Sequence, residues 1–178
     1  MKTKLNQSKL KLAIVSAMLV GTAALSVSAY SDTASMDVSA NIGMACTITA
    51  TDIAFGAYDP IVTNATLDLT ANGSVTSTCT VGSSGSIKIS QGVNPGSGST
   101  DAVPVRNMAL GGEGPASTLR YDVFSDEALT LSWENATGIG YNASGVAEEM
   151  TVYGKVAAGQ TDAMQGSYTD TLTVTVNY

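Results

Sequence analysis

Histidine is absent from the 178 residues of this chain, tryptophan occurs once, phenylalanine and cysteine twice each, and proline four times. Without histidine, nucleophilic catalysis of the Ser-His-Asp type is excluded. Two cysteines with no histidine and no Cys-x-x-Cys spacing make neither a zinc centre nor a dithiol redox site. Basic residues are scarce too, with eight Lys and Arg set against fifteen Asp and Glu. Four of the eight (Lys2, Lys4, Lys9 and Lys11) crowd the N-terminus, so from residue 30 onward the balance is 4 − 15 = −11. A chain so acidic repels phosphate backbones and anionic lipid surfaces, which argues against a nucleic-acid partner. Beyond the N-terminus no apolar run approaches the ~20 residues of a membrane-spanning helix, so no integral membrane protein is expected.

The carboxylates present no reactive pattern. A glycosidase-like pair drawn from Asp122, Asp126, Glu127, Glu134, Glu148 or Glu149 has no spacing to recommend it. Asp122, Asp126 and Glu127 on one loop suit a hard cation such as calcium in principle, yet no EF-hand or nonapeptide repeat surrounds them. Surface charge is the simpler reading. Trp133 and Tyr121 suit a sugar-binding face, but a lone Trp in a small all-β chain belongs more naturally in the core. We expect no enzyme, no metal and no cofactor.

What is present begins with an export signal. Lys2 to Lys11 form a basic region, Leu12 to Leu25 an apolar one, and Val27-Ser28-Ala29 a small-residue cleavage site, so residues 1–29 are read as a signal peptide. Export brings Cys46 and Cys79 into an oxidising compartment, where one disulfide between them is expected. Residues 30–44 follow as an arm. Ala34, Met36, Val38, Ala40, Ile42 and Met44 alternate with Ser35, Asp37, Ser39, Asn41 and Gly43, the period of a half-buried strand.

Strand signals dominate the rest, residues 45–178. Alternation predicts strands over 34–49, 61–69, 73–80, 86–91, 118–124, 150–156 and 169–178, with short pieces at 52–54 and 129–133. Turns are read at Tyr58-Asp59-Pro60, Asn72-Gly73 and Gly82-Ser83-Ser84-Gly85, and a mobile surface loop over Gly92 to Asp101. Ser125 to Leu131 makes one helical turn at most. Short strands at this spacing predict a Greek-key β-sandwich. In the last strand Leu172, Val174, Val176 and Tyr178 alternate with threonines and Asn177, an apolar edge that invites association.

Several blocks together resemble the spore coat protein U family, which includes the pilins of archaic (Csu-type) chaperone–usher pili. They are Cys46 to Ala50, Ile53 to Pro60, Val75 to Cys79, Arg106 to Ala109, Leu119 to Asp126 with Trp133, Thr151 to Gln160, and Gly166 to Tyr178. The resemblance implies an incomplete immunoglobulin-like sandwich that lacks its last strand. A periplasmic chaperone lends a strand until an outer-membrane usher exchanges it for the arm of another copy or a related pilin. Ala34, Met36, Val38, Ala40 and Ile42 would then be the donor strand, and Leu172, Val174, Val176 and Tyr178 the acceptor-groove edge and chaperone contact. The product would be a surface pilus or coat serving adhesion or biofilm formation. The competing expectation is a self-contained secreted binding module, lectin-like or coat-like, whose arm closes its own sheet.

Overall fold

Alternating threonine and valine build antiparallel strands throughout the computed structural model, which describes residues 28–112 and 116–178. All but the last two residues of the expected signal peptide lie outside the described residues. The strands are β1 (Cys46–Thr51), β2 (Leu69–Cys79), β3 (Ser84–Ile89), β4 (Arg106–Leu110), β5 (Thr118–Phe124), β6 (Ile139–Asn142), β7 (Glu148–Val156), β8 (Tyr168–Thr169) and β9 (Val174–Asn177). They form two sheets, ordered β1-β2-β7-β5-β4-β8 and β6-β3-β9. This is the expected all-β, immunoglobulin-like sandwich. Among the described residues no helix is long and apolar enough to cross a membrane.

The core is filled from both sheets. Val75, Leu119, Tyr121, Val123, Val152 and Val156 come from the larger sheet, and Ile87, Ile89 and Tyr141 from the smaller. Alternation puts these side chains inward and their neighbours outward, as the two-residue period of a strand requires. Trp133 lies between the layers at 1 % exposure. Its indole N–H donates to the Ile87 carbonyl at 2.9 Å, so the one polar atom of a buried ring is paired. Core packing, not sugar binding, is its role. Cys46 and Cys79 are bonded and lie directly opposite in the β1–β2 register. Closing that 33-residue separation stabilises the fold by about 3–4 kcal/mol in the chain-entropy account.

Several expectations fail for physical reasons. Asn72-Gly73 is no turn; it sits inside β2, opposite Tyr153 and Val152. The glycine is there for close approach, because a Cβ on Gly73 would stand 2.7 Å from the Thr51 carbonyl and 2.9 Å from Ile53. Residues 61–69 form no strand until Leu69. Instead the Asp59 carboxylate accepts from the Ile61 and Val62 N–H groups, and Asn64 ties back to Asp59, folding the segment into a turn with a short 3-10 helix at Thr63–Ala65. The Ser125 to Leu131 stretch, by contrast, is a turn within the single helical turn expected at most, held by Asp126 accepting from Thr130 and Leu131.

The loop at 92–101 is tied down at Pro95, which bridges Arg106, and at Asp101, which accepts from Gln91 and Asn135. The strand expected over 34–49 is a strand only from Cys46. The last bond of its ladder runs from the Thr80 N–H to the Ala45 carbonyl, and β2 offers no partner beyond it. The final strand is broken in two. β8 pairs with β4 in one sheet and β9 with β3 in the other, so the chain changes layers between residues 170 and 173.

Candidate functional site

After Thr51 the chain leaves the ladder and crosses the inner face of the larger sheet. Ile53 and Phe55 lie over Gly73 and Gly154, whose missing side chains make room for them. Phe55 meets Tyr121 edge-on at 6.1 Å between ring centres. This crossing segment does not fill the space between the sheets. Two adjoining hollows of about 800 and 490 Å³ remain, sharing Ile53, Ala54, Phe55, Met108 and Tyr168. Leu69, Leu119 and Val156 line the larger, and Val75, Ile89, Val152, Leu172 and Val174 the smaller. Together they make one groove along the open side of the sandwich, its floor apolar and its lining otherwise mixed.

The two banks of this groove both lie outside any strand. One is the run 53–57; the other is Asp170, Thr171 and Leu172. Neither run makes a backbone hydrogen bond among the described residues. Such groups normally find a partner or face water, because leaving them buried and unpaired is costly. Downstream, β9 pairs with β3 alone and ends its sheet. No lysine or arginine lines either hollow, while Asp52, Asp59 and Asp170 are among the lining residues. The groove therefore suits an uncharged apolar strand that offers N–H and C=O groups on both edges.

Beneath one bank lies a buried polar network. Arg106, at 1 % exposure, donates to the carbonyls of Ser90, Ile89 and Trp133 at 2.8, 3.0 and 2.7 Å. These bonds offset the cost of burying its charge; burial itself pulls the guanidinium below its ordinary pKa. Burial, reinforced by Asp170, pushes the Tyr121 phenol far above its usual value, so its O–H stays a donor.

The expected site residues separate into groups. Leu172 and Val174 line the groove. Val176 packs against the core opposite Ile87, and Tyr178 lies exposed past the end of β9. Ala34, Met36, Val38, Ala40 and Ile42 carry no assigned strand and are exposed, Met36, Val38 and Ile42 at 87, 89 and 83 %. Ile53, Phe55, Met108, Tyr168 and Asp170 were not singled out in the sequence as groove residues. The alternation of Ile53 with Phe55 was the one local signal for any of them. Two of the three acids considered for calcium are engaged otherwise: Asp122 pairs with Arg120 at 3.6 Å, and Asp126 caps its own turn.

The model of the Spore Coat Protein U domain matches residues 32–175. A protein of Myxococcus xanthus named Protein U is 37 % identical over 182 residues, covering 93 % of this chain and 99 % of its own. Among solved structures, a chaperone–tip adhesion subunit pre-assembly complex from the archaic chaperone–usher Csu pili of Acinetobacter baumannii is similar at a TM-score of 0.48 and 19 % identity. The similarity covers 76 % of this chain and 40 % of that one.

Proposed function

This chain belongs to the spore coat protein U domain family, and from that premise we propose that it is a structural subunit of an extracellular pilus or coat, joined to its neighbours by donor-strand exchange. One observation carries the reading: a groove with an apolar floor, flanked by two backbone runs that make no backbone hydrogen bonds among the described residues. A β-strand satisfies both banks at once, and a compact ligand does not. The arm at residues 34–44 supplies the matching pattern. Ala34, Met36, Val38, Ala40 and Ile42 enter the groove; Ser35, Asp37, Ser39 and Asn41 face outward. A one-residue slip would bury the polar set, so the register is self-selecting.

Burying Met36, Val38 and Ile42 with the two alanines contributes roughly 5–10 kcal/mol before the cost of association. Ladder bonds add direction and further stability. The donor comes from a second copy or a related subunit. Thr80 bonds Ala45 through its N–H and Gly43 through its hydroxyl, continuing the β1 path past the disulfide. An arm turning back onto its own sheet would first have to break that anchorage. Head-to-tail junctions of this kind do not close, so the product is a filament.

An empty groove with an unpaired edge aggregates in transit. A periplasmic chaperone that covers it, and an outer-membrane usher that exchanges the cover for the next arm, answer that hazard. The subunit is thus exported to the periplasm and displayed at the surface, with a structural and not a catalytic task, supporting adhesion or biofilm formation. A photo-reactive benzoylphenylalanine at position 38 tests the assignment in mixed light and nitrogen-15-labelled chains. Cross-links to Phe55 or Leu172 should join a labelled chain to an unlabelled one. Cross-links within single chains would instead establish the self-contained module.

A further inference from the structure

The groove bank at residues 170–173 hangs from two fixed points, and both anchors lie in one loop. At its far end Thr173 exchanges bonds with Ser90: the Ser90 N–H donates to the Thr173 carbonyl at 2.9 Å, and the Thr173 N–H to the Ser90 hydroxyl at 2.8 Å. At its near end the Asp170 carboxylate turns inward. Oδ1 accepts from the Val93 N–H at 3.0 Å and from Asn94 Nδ2 at 3.2 Å, and Oδ2 accepts from the Tyr121 O–H at 2.6 Å. Asn94 also donates to the Gly112 carbonyl at 3.0 Å. Gly92 makes the fit possible. It sits at φ +85°, and a Cβ there would lie 2.1 Å from Asp170 Oδ2.

The position of this clasp is what gives it meaning. Up to Thr169 the chain pairs with β4, with Thr169 opposite Ala109. Continuing that ladder would set Asp170 opposite Met108 and draw the bank over a residue that lines both hollows. Asp170 is the first residue to depart from β4. Its three bonds pull the chain toward the 92–94 loop and the floor of the groove, leaving the backbone of Thr171 and Leu172 unpaired.

We propose that Asp170 is a positioning residue for strand capture: its carboxylate, clasped by Tyr121 and the 93–94 loop, diverts the chain from β4 and holds the acceptor groove open until the donated strand arrives. This rests on the donor-strand reading of the groove. It assigns to one side chain the readiness of the acceptor, separately from its affinity once filled. After capture the ladder itself holds the bank, and the clasp is redundant.

Three substitutions break the clasp by different routes. Tyr121→Phe removes one O–H, Asp170→Asn weakens the acceptor, and Gly92→Ala forces the carboxylate aside without changing its chemistry. Each is made in the full mature chain, and binding of a fluorescein-labelled peptide of residues 34–44 is followed by stopped flow. The association rate constant should fall about tenfold or more in all three. The dissociation rate constant should stay at its parent value, while the thermal midpoint read from Trp133 fluorescence drops modestly as the clasp's bonds are lost and, in Gly92→Ala, as the positive φ is strained. Unchanged association in the variants would overturn the clasp's role while leaving strand capture intact. An equal change in both rate constants would also overturn it, making the clasp an ordinary element of the fold. Failure of the parent chain to bind the peptide would remove the donor-strand reading and this inference together.

Discussion

The closed and open sides of this sandwich use the same kinds of residue to opposite ends. On the closed side, Ile87, Val123 and Trp133 are sealed between the layers, and β2 is paired on both edges, by β1 and β7. On the open side, Ile53, Phe55, Leu172 and Val174 stay only half-buried, and the backbones beside them are unpaired among the described residues. Composition does not separate the two. What separates them is whether the sheet has a next strand. The closed side and the Cys46–Cys79 bridge hold the fold together; on the proposed reading the open side keeps the same kind of hydrophobic free energy for a partner.

The contrast breaks most completely in the arm. Val38→Asp or Ile42→Asp places a charge against the groove's apolar floor, where burial without a partner is prohibitive. Both variants should lose polymer entirely on an unboiled gel while the single subunit keeps its parent melting curve. Next comes the closed side itself. Ile87→Ala should destabilise the monomer by about 2–5 kcal/mol in urea titration, the usual cost of emptying a sealed core site. Cys46→Ser should cost about 3–4 kcal/mol by the loop-closure estimate and lower periplasmic yield through proteolysis.

Leu172→Ala sharpens the comparison. On the monomer it should cost under about 1 kcal/mol, since little burial is lost, whereas polymer dissociation in denaturant should shift by about 2 kcal/mol per junction. The smallest effect is electrostatic. Backbone N–H groups hold the Asp59 carboxyl, at one end of the groove, below its ordinary value of 3.8. A depressed native pKa adds stability above the unfolded value and loses it as pH falls through the native one. Monomer melting should therefore be flat above about pH 5 and decline only below about pH 4.

Where local alternation decided the outcome, the sequence was a good guide. β5 spans the expected residues, β3 and β7 nearly so, and the paired cysteines, the buried Trp133 and the inward Leu172, Val174 and Val176 all follow from period and type. It was silent where tertiary packing overrode local rules. Asn72-Gly73 carries strong turn chemistry, yet the glycine serves a chain crossing above it. Arg106 opens β4, yet its guanidinium is held in the protein's interior by three carbonyls from distant segments. Asp170 was one acid among fifteen. Its partners lie at positions 93, 94 and 121, a convergence no sequence window contains.

The most direct test compares the mature chain with a variant lacking residues 30–44, each co-expressed with a candidate periplasmic chaperone and released from it. Both are run unboiled on a denaturing gel. The account predicts a ladder of polymers from the full-length chain and none from the truncation. A stable full-length monomer that needs no chaperone and forms no ladder would contradict it, because the open side would then have closed upon itself.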